Sequence, residues 1–124
     1  MEREIAALFP SPDLQRKALL ESGLKHVDQN ELRTQLELLK REWPRLRERL
    51  LRHLIPRSEI REMLRDAGCP VDSEAIGISR ARLRESFRKA YHIRRRFTIL
   101  DVIRRANLWE PALDQVFASE TNAA

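Results

Sequence analysis

Apolar residues along the chain recur at helical spacing in nearly every segment. Ser11, Pro12 and Asp13 make a helix start, with proline near the first turn where its missing N–H costs nothing, and Gly23 is the stop. Asp28 followed by Glu31 opens the next element, in which Leu32, Leu36, Leu39, Trp43, Leu46, Leu50 and Leu54 fall on one face. Pro44 lies inside this run, removing one helical hydrogen bond and disfavouring helix at Trp43, yet the apolar phase continues across it. The pattern predicts a kinked long helix, or two helices sharing one buried face.

Pro56 closes that element and Ser58 is placed to cap another, running to about Ala67 with Ile60, Met63 and Leu64 as its apolar positions and Gly68 as its stop. Residues 69–78 have no sustained period and form the longest connection. Ser79 then caps a helix with Leu83, Phe87, Ala90, Tyr91 and Ile93 on its apolar stripe. Thr98 and Asp101 have the spacing of a capping box for a short helix from Ile99 to about Ala106, ending near Asn107. Glu110 and Pro111 begin a last helix carrying Leu113, Val116 and Phe117, and residues 119–124 read as a frayed end. No segment reads as a strand. The expectation is a single all-α domain over residues 1–124, a bundle of about six to seven helices.

Composition narrows the function classes. Apolar residues are 42% of the 124 and charged residues 35%, which describes a folded, heavily charged protein rather than a disordered one. No apolar run approaches the roughly 20 residues that span a bilayer, and MEREIAALF lacks the form of a secretory leader. Cys69 is the single cysteine, so neither an internal disulfide nor a cysteine zinc cluster can form, which fits a cytoplasmic protein. Gly23, Gly68 and Gly77 are isolated, and no phosphate-cradling glycine loop is written. His26, His53 and His92 are 27 and 39 residues apart, with no pair on one helical turn to hold a metal.

Charge is unevenly spread. Residues 80–105 hold nine arginines and Lys89 against Glu85 and Asp101, a net of +8; the rest of the chain has 14 basic and 17 acidic side chains, a net of −3. Such a stretch with Tyr91 and Phe97 nearby is one footprint of a phosphate or nucleic-acid binder. The plainer reading is a solvated face, or arginines paired with acidic neighbours. Trp43, on the apolar stripe, reads as a core anchor, and Trp109 as a partly exposed interface residue. His92 reads as structural at a helix end, with acid–base work as the alternative. Cys69, between glycine and proline, is an accessible thiol with no base at a recognisable spacing.

Residues 90–101, AYHIRRRFTILD, together with AGCPVDSEAIGISRARLRESF at 67–87, WPRLRERLLRHLIPRSEIREML at 43–64 and, more weakly, FPSPDLQ near the start, resemble the C-terminal helical region of the sn-glycerol-1-phosphate dehydrogenases. These belong to the iron-containing alcohol dehydrogenase and dehydroquinate synthase superfamily. The resemblance implies a two-domain enzyme of phospholipid metabolism that reduces dihydroxyacetone phosphate with NADH or NADPH. It implies an N-terminal dinucleotide-binding half, and zinc or iron held in the cleft by an aspartate and two histidines. In that pattern the cofactor glycines and metal ligands precede the matched region, so no catalytic, cofactor or metal residue carries over to this sequence. What remains is Arg94, Arg95 and Arg96, candidates for a substrate phosphate because arginine matches phosphate bidentately. The expectation is a helical C-terminal portion, inactive alone, whose partners are the dinucleotide-binding half and further copies of itself. Its docking face would be apolar and prone to self-association. The alternative is a stand-alone basic helical module binding nucleic acid or a protein partner.

Overall fold

The computed structural model describes residues 1–121. Those residues form seven α-helices and one 3₁₀ turn: α1 Glu2–Leu8, α2 Pro12–Gly23, α3 Gln29–His53, α4 Arg57–Asp66, the turn Glu74–Ile76, α5 Arg80–His92, α6 Ile99–Arg105 and α7 Trp109–Thr121. No strand occurs among them, and the fold is all-α. The expected frayed end is helical through Thr121, and residues 122–124 lie outside the described residues. The chain divides into two compact units: Met1–Leu32 together with the chain from Arg84 onward, and Arg33–Leu83.

The first unit contains the core. Helix α1 adds to the predicted set, and its signal is the spacing of Ile5, Leu8 and Phe9. Ile5, Phe9 and Ala18 are buried together, with Leu8 and Leu19 packed against them. The Gln15 amide donates to the Phe9 carbonyl at 2.6 Å, fastening the connection between α1 and α2. Trp109, Leu113 and Phe117 are the buried positions of α7, and Phe87 of α5 meets Phe117 edge-on at 6.1 Å between ring centres. Trp109 is therefore a core residue, 6% exposed, and not a partly exposed interface residue as its polar neighbours in sequence suggest.

Helix ends follow local chemistry. Thr98 and Asp101 form the capping box: the Thr98 hydroxyl accepts from Leu100 N at 3.2 Å, and Asp101 accepts from Thr98 N at 2.7 Å. The other end of α6 closes on Asn107 in the left-handed region, φ 57°, with Asn107 N donating to Arg104 O and Leu108 N to Ile103 O. That paired bonding is a Schellman cap, with asparagine in the place glycine usually takes. Helix α4 ends the same way on Gly68, φ 70°.

The second unit departs from expectation. Helix α3 is continuous through Pro44 rather than two helices, and its stripe is not a buried face. No residue of α3 or α4 is buried, and Trp43, Ile60, Met63 and Leu64 stand 38–57% exposed. The sequence pattern reports which positions are apolar; only a packing partner makes them a core, and in this unit they stay half-buried or exposed. Ser58 does not cap α4, which begins at Arg57 with Pro56 at the cap position and no side-chain bond there. Asp28 accepts from Glu31 N at 2.8 Å ahead of α3, and Ser79 from Arg82 N at 3.3 Å ahead of α5, as capping residues do.

Candidate functional site

The basic segment is partly neutralised from within the chain. Arg84 reaches Glu110 and Asp114, both at 2.7 Å, and Arg88 pairs with Glu110 as well. Those two guanidinium groups, Arg84 first, hold the Glu110 carboxyl below the usual carboxylate range. Lys89 pairs with Glu85 one turn away on α5. Arg104 reaches Glu4, and Arg105 donates to the Lys25 carbonyl at 2.9 Å while lying over the Phe97 ring. Five of the segment's ten cations, Arg84, Arg88, Lys89, Arg95 and Arg104, therefore stand in ion pairs.

The three consecutive arginines have different fates. Arg95 is committed to Glu21 through two hydrogen bonds, Nε at 3.1 Å and Nη2 at 2.9 Å. Glu21 is buried on α2, and its carboxyl is held down chiefly by the hydrogen bond from Arg95. Arg94 and Arg96 make no ion pair among the described residues. Both line an open depression of about 450 Å³ whose floor is apolar: Phe87, Ala90, Ile93, Ile99 and Leu100. Lys25 also lines it, but its ammonium is spent on Asp101 at 2.9 Å and on the Tyr91 carbonyl at 2.6 Å. A guanidinium pair beside an apolar floor suits an anionic group carried on a small organic body.

The same unit holds a buried polar cluster. His92 is 1% exposed, with Nδ1 at 2.9 Å from the Ser22 hydroxyl and Nε2 at 3.8 Å from a Glu4 carboxylate oxygen. Serine, histidine and carboxylate stand in the order of a hydrolytic triad. The geometry is that of a structural clasp all the same. Ser22 is 4% exposed, its hydroxyl also faces the His92 carbonyl at 3.5 Å, and no substrate carbonyl can approach it. Burial pushes the His92 imidazole down from 6.5, with Arg104 and Lys25 acting in the same direction and Glu4 opposing. His92 is thus neutral and structural, the plainer of its two readings. Tyr91 stacks edge-on against His92 at 4.8 Å and Trp109 at 5.8 Å, and burial raises its phenol above the ordinary value.

The residues that spacing could not bring forward are Glu4, Glu21, Ser22 and Lys25. They come from α1, α2 and the turn after it, far along the chain from the motif they hold, and only Asp101 announces itself locally. Cys69 is exposed, with no base beside it among its described contacts. No group of three His, Cys, Asp or Glu among the described residues is placed to hold a metal ion. The three glycines stand apart, each with open space where a side chain would be.

No family model, no curated protein and no solved structure matches the chain.

Proposed function

We propose that this chain is the helical C-terminal portion of an NAD(P)-dependent, metal-dependent sn-glycerol-1-phosphate dehydrogenase, without activity on its own. Cofactor and metal would be held by the dinucleotide-binding half, and this portion would supply a cleft wall with cations for the phosphate of dihydroxyacetone phosphate. The observation that carries the reading is the division of labour inside AYHIRRRFTILD. His92, Arg95, Thr98 and Asp101 are consumed in holding α2, α5 and α6 together, while Arg94 and Arg96 are left unpaired beside an apolar-floored depression. Residues that bear the family resemblance thus sort into a scaffold and a pair of cations that the scaffold does not use. The same division weakens the nucleic-acid alternative, because Arg84, Arg88, Arg95 and Arg104 are already neutralised by carboxylates of this chain.

The test is complementation. The chain is joined to the cofactor-binding half of a glycerol-1-phosphate dehydrogenase, and oxidation of NADH or NADPH by dihydroxyacetone phosphate is followed. Turnover is expected from the joined protein and none from the chain alone. Arg94→Ala and Arg96→Ala should raise KM for the phosphorylated substrate more than they lower kcat, since they remove binding rather than chemistry. No turnover from the joined protein, with oligonucleotide binding by the chain that weakens steeply between low and high salt, would replace this reading with the nucleic-acid one.

A further inference from the structure

Helix α3 presents a partly exposed apolar stripe at coiled-coil spacing. Leu36, Leu39, Trp43, Leu46 and Leu50 are spaced 3 and 4 residues apart in strict alternation, the repeat that keeps one stripe facing a partner helix. From Leu36 to Leu50 the seam is about 21 Å long at 1.5 Å per residue. The four leucines are only half-buried and Trp43 is 46% exposed. Pro44 lies one step off the seam, so the carbonyl it leaves without a donor is not on the apolar stripe.

The edges of the seam say what would cover it. The positions next to the stripe, which face a partner's own edges in a coiled coil, are Arg33, Lys40 and Arg47 on one side and Gln35, Glu42 and Arg49 on the other. Arg33, Lys40, Arg47 and Arg49 are all exposed, and none makes an ion pair among the described residues. The one acid, Glu42, is already paired with Arg41 at 3.1 Å. Elsewhere on α3 the cations Arg41 and Arg52 do find carboxylates, Glu42 and Glu48, and Arg45 does not, so four of the five cations of the helix without an ion pair lie at the edges of the apolar stripe. A second copy of the chain would bring the same excess of cations to the same seam and is disfavoured. A nucleic acid would answer the charge and leave the leucines and Trp43 uncovered.

We infer that α3 is the docking surface for an amphipathic helix whose apolar heptad stripe is flanked by glutamate or aspartate. The inference does not rest on the dehydrogenase reading: it concerns a different unit of the chain and different residues. Apolar burial along the stripe supplies affinity, and the basic edges select the acidic partner and set its register.

The experiment uses the full chain and two labelled synthetic peptides of about three heptads. Both carry leucine at the stripe positions; one has glutamate at every flanking position and the other lysine. Fluorescence anisotropy should show the glutamate peptide binding and the lysine peptide binding at least about tenfold more weakly, the preference shrinking with salt. Leu39→Asp, at a stripe position outside the buried core, should abolish binding. The triple variant Arg33→Glu, Lys40→Glu, Arg47→Glu should invert the preference. Failure of both peptides to bind, or equal binding of both, would overturn the inference. So would sedimentation of the chain alone as a dimer that Leu39→Asp dissociates.

Discussion

Lys25 and Asp101 form an ion pair of 2.9 Å in which both side chains are almost wholly removed from water, 6% and 2% exposed. The pair is completed by the Tyr91 carbonyl, which accepts from Lys25, and by Thr98, whose amide and hydroxyl both donate to Asp101. Each charge thus has hydrogen-bond partners beyond its counter-ion, the condition under which a buried pair is tolerated. Removing the lysine leaves a buried carboxylate without its cation. Lys25→Met should lower stability by about 3–5 kcal/mol in urea denaturation. Lys25→Met with Asp101→Leu should recover part of that loss, and not all, because the second change also removes the cap of α6. A Lys25→Met protein as stable as the parent would mean that the pair is open to water.

Stability should fall as the solution becomes mildly acidic, and His92 is the reason. Its folded value is pushed below 6.5 by burial, so between the folded value and 6.5 the unfolded chain binds a proton that the folded chain does not. Stability is therefore complete above 6.5 and is lost as pH falls through that window, levelling off once the folded imidazole also protonates. Glu4 opposes the effect, and Arg104 and Lys25 reinforce it. Glu21 and Glu110, whose carboxyls are held low by arginines, lose their contribution in a separate window starting below 4.5. Chemical denaturation midpoints from pH 8 to pH 5 should decline, and His92→Gln should flatten the decline. An equal slope in the variant would assign the loss to other groups.

The caps of α6 give two opposed substitutions on one short helix. Thr98→Ala removes the hydroxyl that accepts from Leu100 N and should cost about 1 kcal/mol, with Thr98→Ser nearly neutral. Asn107 sits at φ 57°, a conformation that costs a β-branched residue about 1–2 kcal/mol, so Asn107→Val should destabilise and Asn107→Gly should not. Thermal melts of the four variants decide both points.

These caps were legible in the sequence because the partners lie within three residues of each other, and so was the all-α fold, whose period repeats along the chain. The starts at Pro12 and Ser79 and the stops at Gly23, Gly68 and Asn107 are of the same local kind. Ser58 shows the limit of that reasoning: a good capping residue stands unused because Pro56 already takes the cap position two residues earlier. The buried cluster was not legible. Ser22 and His92, or Arg95 and Glu21, meet only after the chain has doubled back, and nothing in their spacing forecasts the meeting. For the same reason the three adjacent arginines read as equivalent in sequence, although one of them finds a buried carboxylate and two do not.

Burial of the two tryptophans is the point at which periodicity misled most, and it is also the easiest to measure. Trp43 belongs to a regular apolar stripe and is 46% exposed; Trp109 sits between asparagine, leucine, glutamate and proline and is 6% exposed. The difference lies in what each meets. Trp109 packs edge-on against Tyr91 at 5.8 Å with the Arg104 guanidinium over its ring, whereas Trp43 makes no ring contact among the described residues. Iodide should therefore quench one emitting population and spare the other. Trp43→Phe should remove the quenchable, red-shifted fraction and leave stability nearly unchanged. Trp109→Ala should instead cost about 3–5 kcal/mol, the usual loss when a large aromatic leaves a core. Equal quenching of both tryptophans would show that the first unit does not hold Trp109 as described. Full protection of both would show that α3 is covered in solution, and the acidic-helix peptide should then compete with whatever covers it.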